Sequence, residues 1–244
     1  MSAGVSNRQF LLWALALLIL AVYAAYAAWQ WGLPWLAASA TELVPVSWEQ
    51  EVGSSAAAAI APGAKPCLAG VAAQLERALP PPNPYRFEIR CAAAREVNAL
   101  AAPGGYIVVF QGLLDAAGSE EEVAAVLAHE MQHVARRHAT RAIFRAFALQ
   151  AVAGLVFGDA SGLIAQVSGS LGALHYQRAD EDEADREGVL LLKRAGLRPE
   201  ALPEMLESLE TATSGEVALP AWLSSHPDTK RRIAITRELA RQLE

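Results

Sequence analysis

The sequence has little of several features that would indicate a function by themselves. Its only two cysteines, Cys67 and Cys91, form no CxxC pair, which excludes a metal or redox motif of that kind. They would form a disulfide in an exported protein and would remain buried thiols in a cytosolic one. No GK[ST] follows the glycine pair at 104–105, so a phosphate-binding loop is excluded as well.

Positive charge is also scarce. Lysine and arginine total 20 against 26 acidic residues, and the formal net charge is -6. A protein that binds nucleic acid needs a basic surface that neutralises many phosphates, and the sequence gives no sign of one. We therefore expect no nucleic acid among the partners.

One long run without charge lies near the N-terminus. Residues 10–29, FLLWALALLILAVYAAYAAW, suffice to cross a bilayer as a helix, with aromatic residues near the exit end. Arg8 precedes the run and the first charges after it are acidic, which favours export of the remainder to the periplasmic side. We expect residues 1–29 to be a single-pass membrane anchor. A cleaved signal peptide is the alternative, because YAAYAA offers small residues for cleavage.

The rest of the chain reads as a connecting segment and one domain. Residues 30–66 are rich in Ala, Ser, Pro and Gly and indicate a juxtamembrane segment, which leaves 67–244 as the domain. Helical spacing dominates this domain, whereas alternation in YRFEIRCAA and the β-branched stretch Tyr106–Phe110 predict strands. The expected fold class is α+β, mainly helical with a small β-sheet, preceded by one N-terminal transmembrane helix.

Three of the five histidines cluster in AAVLAHEMQHVARRH, which contains the HExxH pattern of His129, Glu130 and His133. Ser119 and Glu122 form a capping-box signature ahead of it, and apolar residues recur at helical intervals. Positions i and i+4 share one face of a helix, so both imidazoles can reach a single metal ion. Glu130 can then act on a metal-bound water without being a ligand. The pattern predicts a metal-dependent hydrolytic site.

Two histidines do not complete a catalytic zinc site, which uses three protein ligands. A metzincin is excluded, because Arg136 and Ala139 stand where that motif requires Gly and His. The gluzincin arrangement takes a glutamate from a later helix. RADEDEADREG offers three candidates, Glu181, Glu183 and Glu187.

Four stretches in this order, VNALAAPGGYIVVFQGLL, AAVLAHEMQHVARRH, RADEDEADREG and SSHPDTKRRI, resemble the membrane-associated gluzincin family of zinc metalloendopeptidases that includes the CAAX prenyl protease, HtpX and BepA. The pattern is similar to BepA-like members with a single anchor and no helical repeats. The resemblance implies a zincin-like metalloprotease domain. It also implies one Zn²⁺ per chain, held by His129, His133 and the Glu181 of an ExxxD pattern. Asp185 would accept the outer N–H of a ligand imidazole.

The resemblance also implies the catalytic residues Glu130, His226 and Arg232. Glu130 would be the general base for a zinc-activated water. His226 matches a family position that approaches the zinc and in some members masks the site. Arg232 matches a basic residue that would bind the oxyanion or the substrate backbone. His138 and His175 have no ligand spacing and are expected to be structural.

The expected function is membrane-anchored hydrolysis of peptide bonds in misfolded or misassembled proteins. The partners would be protein or peptide substrates and, through the N-terminal helix, the membrane. The strand at Tyr106, Ile107, Val108 and Val109 is expected to be an exposed edge that pairs with an extended peptide. The alternative is a zinc-binding, chaperone-like assembly factor with a masked site, although the presence of Glu130 favours an enzyme. A zinc hydrolase acting on a non-peptide substrate is a third possibility.

Residues 137–158 combine a basic stripe with an apolar stretch. Arg137, Arg141 and Arg145 are spaced four residues apart, and 146–158 is nearly all apolar but too short to span a membrane. We expect a buried or lid-like helix with a solvated basic face. A helix lying on an anionic membrane surface is the alternative.

Overall fold

The computed structural model describes residues 7–157, 176–212 and 220–243. His175, the last residue of the apolar stretch 146–158 and the first six residues of the predicted anchor lie outside the described residues. The predictions made for them are therefore left as predictions.

Two apolar helices begin the described chain. Helix α1, Asn7–Ala27, continues through a π-helical turn, Ala28–Gly32, into α2, Leu33–Glu42. No residue of α1 is buried, and its 21 residues would extend about 30 Å, the thickness of a bilayer core. By length and composition, Asn7–Glu42 qualifies as a membrane-spanning helix, although a signal sequence would meet the same criteria.

The described residues form one four-stranded sheet in the order β1, β2, β4, β3. The strands are β1 Lys65–Pro66, β2 Glu88–Ala92, β3 Ala99–Ala102 and β4 Tyr106–Phe110. The β2–β4 pair is parallel, and the other two pairs are antiparallel. The strand predicted at Tyr106–Phe110 is thus confirmed.

The expectation that this strand is an exposed edge is wrong. Strand β4 lies between β2 and β3, and Tyr106, Ile107, Val108 and Val109 each have a partner on both sides. The last three of these residues are also buried. A strand whose two ladders are both occupied has no free main-chain groups for a peptide, so the edge on this side of the sheet belongs to β3.

Helices make up most of the described chain and confirm the mainly helical α+β class. They are α3 Val46–Ile60, α4 Ala69–Ala78, α5 Gln111–Ala116, α6 Glu120–Ala135, α7 His138–Phe157, α8 Arg178–Arg194, α9 Ala201–Ala212, α10 Ala221–Ser225 and α11 Thr229–Gln242. Ser119 caps α6 by accepting a hydrogen bond from the Glu122 backbone N–H at 3.2 Å. Every α6 residue from Glu122 to Val134 is buried, so the HExxH pattern lies on a central helix.

Helix α3, within the predicted juxtamembrane segment, packs closely on the sheet. A Cβ at Gly53 would lie 1.8 Å from the Pro103 carbonyl oxygen, so only glycine permits this approach. Ala56 and Ala57 are buried against apolar residues of the sheet and α7. The buried carboxylate of Glu49 accepts hydrogen bonds from other parts of the domain. Helix α3 therefore packs with the domain although it precedes residue 67, where the sequence predicts that the domain begins. That domain boundary stays a prediction.

Cys67 and Cys91 form a disulfide, the first of the two outcomes that the sequence allowed. Their Cα atoms are 5.8 Å apart, and the bond closes a loop with a sequence separation of 24. It ties the segment before α4 to β2, beside the short β1.

The expectation of a solvated basic face on α7 is wrong. Arg141 and Arg145 face α8 and lie 3.6 and 2.9 Å from the two carboxylate oxygens of Asp180. Arg137, just before α7, donates to Glu49 at 3.0 Å. Acidic residues of neighbouring helices therefore pair with this stripe, whose side chains are only partly exposed.

Candidate active site

Four side chains converge where α6, α8 and the residue after α10 meet. His129 and His133 come from α6, Glu181 from α8, and His226 directly follows α10. One potential ligand atom of each lies within 4.8 Å of the others, and all four residues are buried. Three of the four are the ligands expected from the sequence, and the fourth is the predicted masking histidine.

Asp185 orients His129 from outside the cluster. Its Oδ1 lies 2.9 Å from His129 Nδ1, so Nδ1 carries the proton and Nε2 presents its lone pair to the centre. Arg232 donates to both oxygens of this carboxylate, from Nε and Nη2, at 2.7 Å each. Burial alone would raise the pKa of Asp185, but the charge and hydrogen bonds of Arg232 hold that pKa well below its usual range.

The two α6 imidazoles turn the same nitrogen toward each other. His129 Nε2 and His133 Nε2 are 2.9 Å apart. Burial lowers the pKa of both histidines, in His133 with a further contribution from the charges of neighbouring histidines, so the neutral forms are favoured. On its outer side, His133 Nδ1 lies 3.0 Å from Nδ1 of His138.

The donor set fits a zinc ion. Glu181 Oε2 and His226 Nε2 are buried without a hydrogen-bond partner among the described residues, although Glu181 Oε2 lies 3.1 Å from Arg232 Nη1. Burial raises the pKa of Glu181 to about 7, so further positive charge would favour its ionised form. Imidazole nitrogens and one carboxylate are the ligand types of catalytic zinc sites.

Glu130 lies beside the cluster rather than in it. One carboxylate oxygen, Oε1, accepts a hydrogen bond from Trp222 Nε1 at 2.9 Å, while Oε2 is buried without a partner among the described residues. Burial raises the pKa of Glu130 to about 6. A carboxylate with a free oxygen and a pKa near neutrality is suited to take and return a proton.

Arg232 is placed differently from the expectation of a residue that faces substrate. It is fully buried. Besides the two bonds to Asp185, its Nη1 donates to the His226 carbonyl at 3.1 Å. Direct contact of Arg232 with an oxyanion stays a prediction, since these partners give it the surroundings of a positioning residue.

The structure adds two aromatic residues that sequence reasoning missed. The ring of Tyr176 packs on His133 with centroids 4.0 Å apart, and Trp222 holds Glu130 and stacks on His226 at 4.8 Å. Trp222 stands four residues before His226, one helical turn away, which was a usable signal. Tyr176 lies just ahead of the acidic stretch and carried no such signal.

Comparison with known proteins agrees with this geometry. The model of peptidase family M48 matches residues 66–240. The putative beta-barrel assembly-enhancing protease of Vibrio cholerae is 36% identical over 162 residues, covering 61% of this chain and 33% of that protein. The mitochondrial metalloendopeptidase OMA1 of Schizosaccharomyces pombe is 36% identical over 144 residues, covering 56% and 41%.

Metalloprotease LoiP of Escherichia coli K12 is 31% identical over 153 residues, covering 59% of each protein. The first of these relatives is thus matched over only about a third of its length. The family model, in contrast, matches well over half of the present sequence, including all four clustered side chains, Glu130 and Arg232. The chain therefore belongs to peptidase family M48.

Proposed function

We propose that the chain is a membrane-anchored, zinc-dependent endopeptidase that hydrolyses misfolded or misassembled proteins. The observation that carries the proposal is the buried convergence of His129, His133, Glu181 and His226 beside a carboxylate with a free oxygen, Glu130. The names of the relatives, all proteases, support a protein substrate.

His129, His133 and Glu181 would hold one Zn²⁺ per chain, which when bound supplies a Lewis acid for the scissile carbonyl and lowers the pKa of water. Glu130 Oε2 would accept the proton of the attacking water and later return it to the leaving amine. Trp222 fixes the other oxygen of Glu130, so the carboxylate keeps one orientation. Asp185 and Arg232 keep His129 in the tautomer that exposes Nε2.

Substrate would pair with the edge of β3. The Phe110 N–H donates to the Asn98 carbonyl, and since hydrogen bonding alternates along an antiparallel pair, Ala99 and Ala101 point their main-chain groups away from β4. Ala99 and Ala101 are themselves buried, and Tyr176 Oη lies 3.4 Å from the Ala101 carbonyl, so this hydroxyl would have to move aside before an extended peptide binds. Strand β3 also packs beside α6, which brings a bound peptide close to the candidate site.

Ala101→Pro should lower kcat/KM for a peptide about fivefold, because it removes an outward N–H worth roughly 1 kcal/mol. Proline is tolerated at an edge position whose N–H faces outward. Leu100→Pro is the matched control. The Leu100 N–H faces β4, so its loss should destabilise the protein, which should then unfold at a lower denaturant concentration than the wild type. An unchanged kcat/KM for Ala101→Pro in a folded protein would exclude the β3 edge.

A second function is favoured by the burial of the site. His226 Nδ1 lies 2.9 Å from Glu181 Oε1 and 3.3 Å from His129 Nε2, and all of these residues are buried. A zinc-binding, chaperone-like assembly factor would keep such a site masked and cleave little. Because a binder needs no general base, the retention of Glu130 makes the endopeptidase the better supported function.

The test is cleavage of an unfolded protein by the full chain in detergent, measured as isolated, after chelation and after return of zinc. We expect cleavage to stop on chelation and to return with one zinc per chain. Stoichiometric zinc without cleavage would favour the assembly factor.

The state of the two cysteines tests export. Because disulfides persist in oxidising compartments, an exported domain taken from cells and alkylated before reduction should show no free thiol at Cys67 and Cys91. Labelled thiols would place the domain in the cytosol.

A further inference from the structure

We propose that His138 and Glu183 form a positioning relay that fixes the tautomer and orientation of His133 for metal binding. The proposal rests on the proposed function, in which His133 is a zinc ligand. From the sequence alone His138 was expected to be structural, because it has no ligand spacing. The structure places it against the outer nitrogen of His133.

The relay is a continuous line of three buried or partly buried side chains. His133 Nδ1 lies 3.0 Å from His138 Nδ1, and His138 Nε2 lies 3.2 Å from Glu183 Oε2. His133 and His138 are both fully buried. Their rings meet nearly edge to face, with centroids 4.9 Å apart and an interplanar angle of 80°. Within residues 7–157, 176–212 and 220–243, His138 is the one hydrogen-bond partner of His133 Nδ1.

A tight reversal of the chain produces this contact. Arg136 and Arg137 separate α6 from α7, and Arg137 adopts a left-handed conformation, with φ at 58°. Its side chain is held by Glu49 at 3.0 Å and by the Val44 carbonyl at 2.8 Å. Because an arginine rarely adopts this conformation without support, these contacts help to keep the first residue of α7, His138, beneath His133.

Hydrogen-bond chemistry gives the line one direction. A carboxylate only accepts, so the proton of His138 lies on Nε2 and is donated to Glu183. A neutral imidazole that is protonated on Nε2 has its lone pair on Nδ1, and in His138 this atom lies 3.0 Å from His133 Nδ1. His138 Nδ1 is therefore the acceptor and His133 Nδ1 the donor. That leaves the lone pair of His133 on Nε2, the atom that faces His129 Nε2 at 2.9 Å.

The surroundings keep Glu183 an acceptor. Arg136 Nη1 lies 3.3 Å from one of its oxygens and Arg141 Nη2 lies 3.6 Å from the other. Both cations stabilise the negative charge of the carboxylate. The two metal-ligand histidines thus have different outer partners: His129 has Asp185 directly, whereas His133 reaches its carboxylate through a second imidazole.

The tests are three substitutions of His138 in the full chain, with zinc affinity measured by competition with a chelator. His138→Asn keeps an acceptor where Nδ1 stood, His138→Gln moves it to the position of Nε2, and His138→Leu removes it. We expect the Asn variant to bind zinc within about threefold of the wild type and the Gln and Leu variants to bind about 10- to 100-fold more weakly, as for other outer partners of metal ligands.

A second pair of variants tests the far end of the relay. Glu183→Gln should weaken zinc binding several-fold. Glu187→Gln is the matched control, because Glu187 lies one turn further on α8 and also pairs with Arg136, at 3.2 Å. It should bind zinc like the wild type.

The tautomer itself gives a readout without metal. With five histidines in the chain, long-range ¹⁵N–¹H spectra of histidine-labelled, metal-free protein can be assigned by substitution. We expect His133 to be protonated on Nδ1 in the wild type and His138→Asn, and to show a mixture in His138→Leu.

If the loss of zinc affinity in each variant simply parallels its loss of unfolding stability without metal, His138 is a structural residue. That outcome would overturn the relay. Equal affinities and unchanged tautomers in all variants would overturn it too. A wild type with the expected tautomer but no zinc affinity would instead contradict the proposed function and the metal-binding purpose of the relay together.

Discussion

Glu130→Gln should reduce peptide cleavage about 10³-fold while one zinc per chain remains bound. A positioned general base contributes roughly 10²- to 10⁴-fold to such a reaction. Glutamine keeps a carbonyl oxygen for the Trp222 N–H, which now donates to Oε1 at 2.9 Å. The substitution replaces the other oxygen, Oε2, with an amide nitrogen that accepts no proton. Oε2 is the oxygen without a partner among the described residues. The substitution therefore removes the base and leaves the packing of the site in place.

Zinc content and unfolding temperature, measured beside the rate of cleavage, complete this experiment. Both should match those of the wild type, because Glu130 lies outside the cluster of four side chains that could hold the metal. A variant that retains the full rate would show that another group takes the proton. A variant that loses zinc would place Glu130 among the ligands and contradict the assignment of Glu181.

Local patterns predicted the elements that carry the chemistry. The capping box at Ser119 and the helical spacing after it predicted a helix around HExxH, and both the cap and the helix are present. The choice of Glu181 over Glu183 came from resemblance rather than from spacing. The fold separates them: Glu181 Oε1 points toward His133 Nε2 at 3.4 Å, whereas Glu183 Oε2 faces His138 on the outer side.

Features that depend on the order of elements in space could not be predicted in this way. The strand at Tyr106–Phe110 has the composition of a buried strand, but nothing in its own residues says that β2 and β3 both pair with it. The arginine stripe looked solvated because its partner, Asp180, lies on a helix that begins some forty residues later. Periodicity predicts which face of a helix or strand is apolar. It does not predict which charged residue of another element will lie against the polar face.

Two adjacent arginines of α11 separate the effect of burial from that of ion-pair geometry. Arg232 donates to both oxygens of Asp185, and Arg231 donates in the same way to Asp182, with both acids on α8. The side chains of Arg232 and Asp185 are 0% and 3% exposed, whereas those of Arg231 and Asp182 are 42% and 38% exposed. Water can therefore replace the partner of Asp182 but not that of Asp185.

Arg232→Met should lower the free energy of unfolding by about 3–5 kcal/mol, because it leaves the buried carboxylate of Asp185 without its cation. Arg231→Met should leave stability nearly unchanged, since exposed pairs contribute little. Denaturant unfolding of the metal-free full chain in detergent measures both. Adding Asp185→Asn to Arg232→Met should recover part of the loss, because the uncompensated charge is then gone. Equal losses in the two single variants would mean that the Asp185–Arg232 pair is solvated. Asp185 also fixes the tautomer of His129, and Arg232 holds Asp185 in place. Zinc binding should therefore weaken in Arg232→Met and stay unchanged in Arg231→Met.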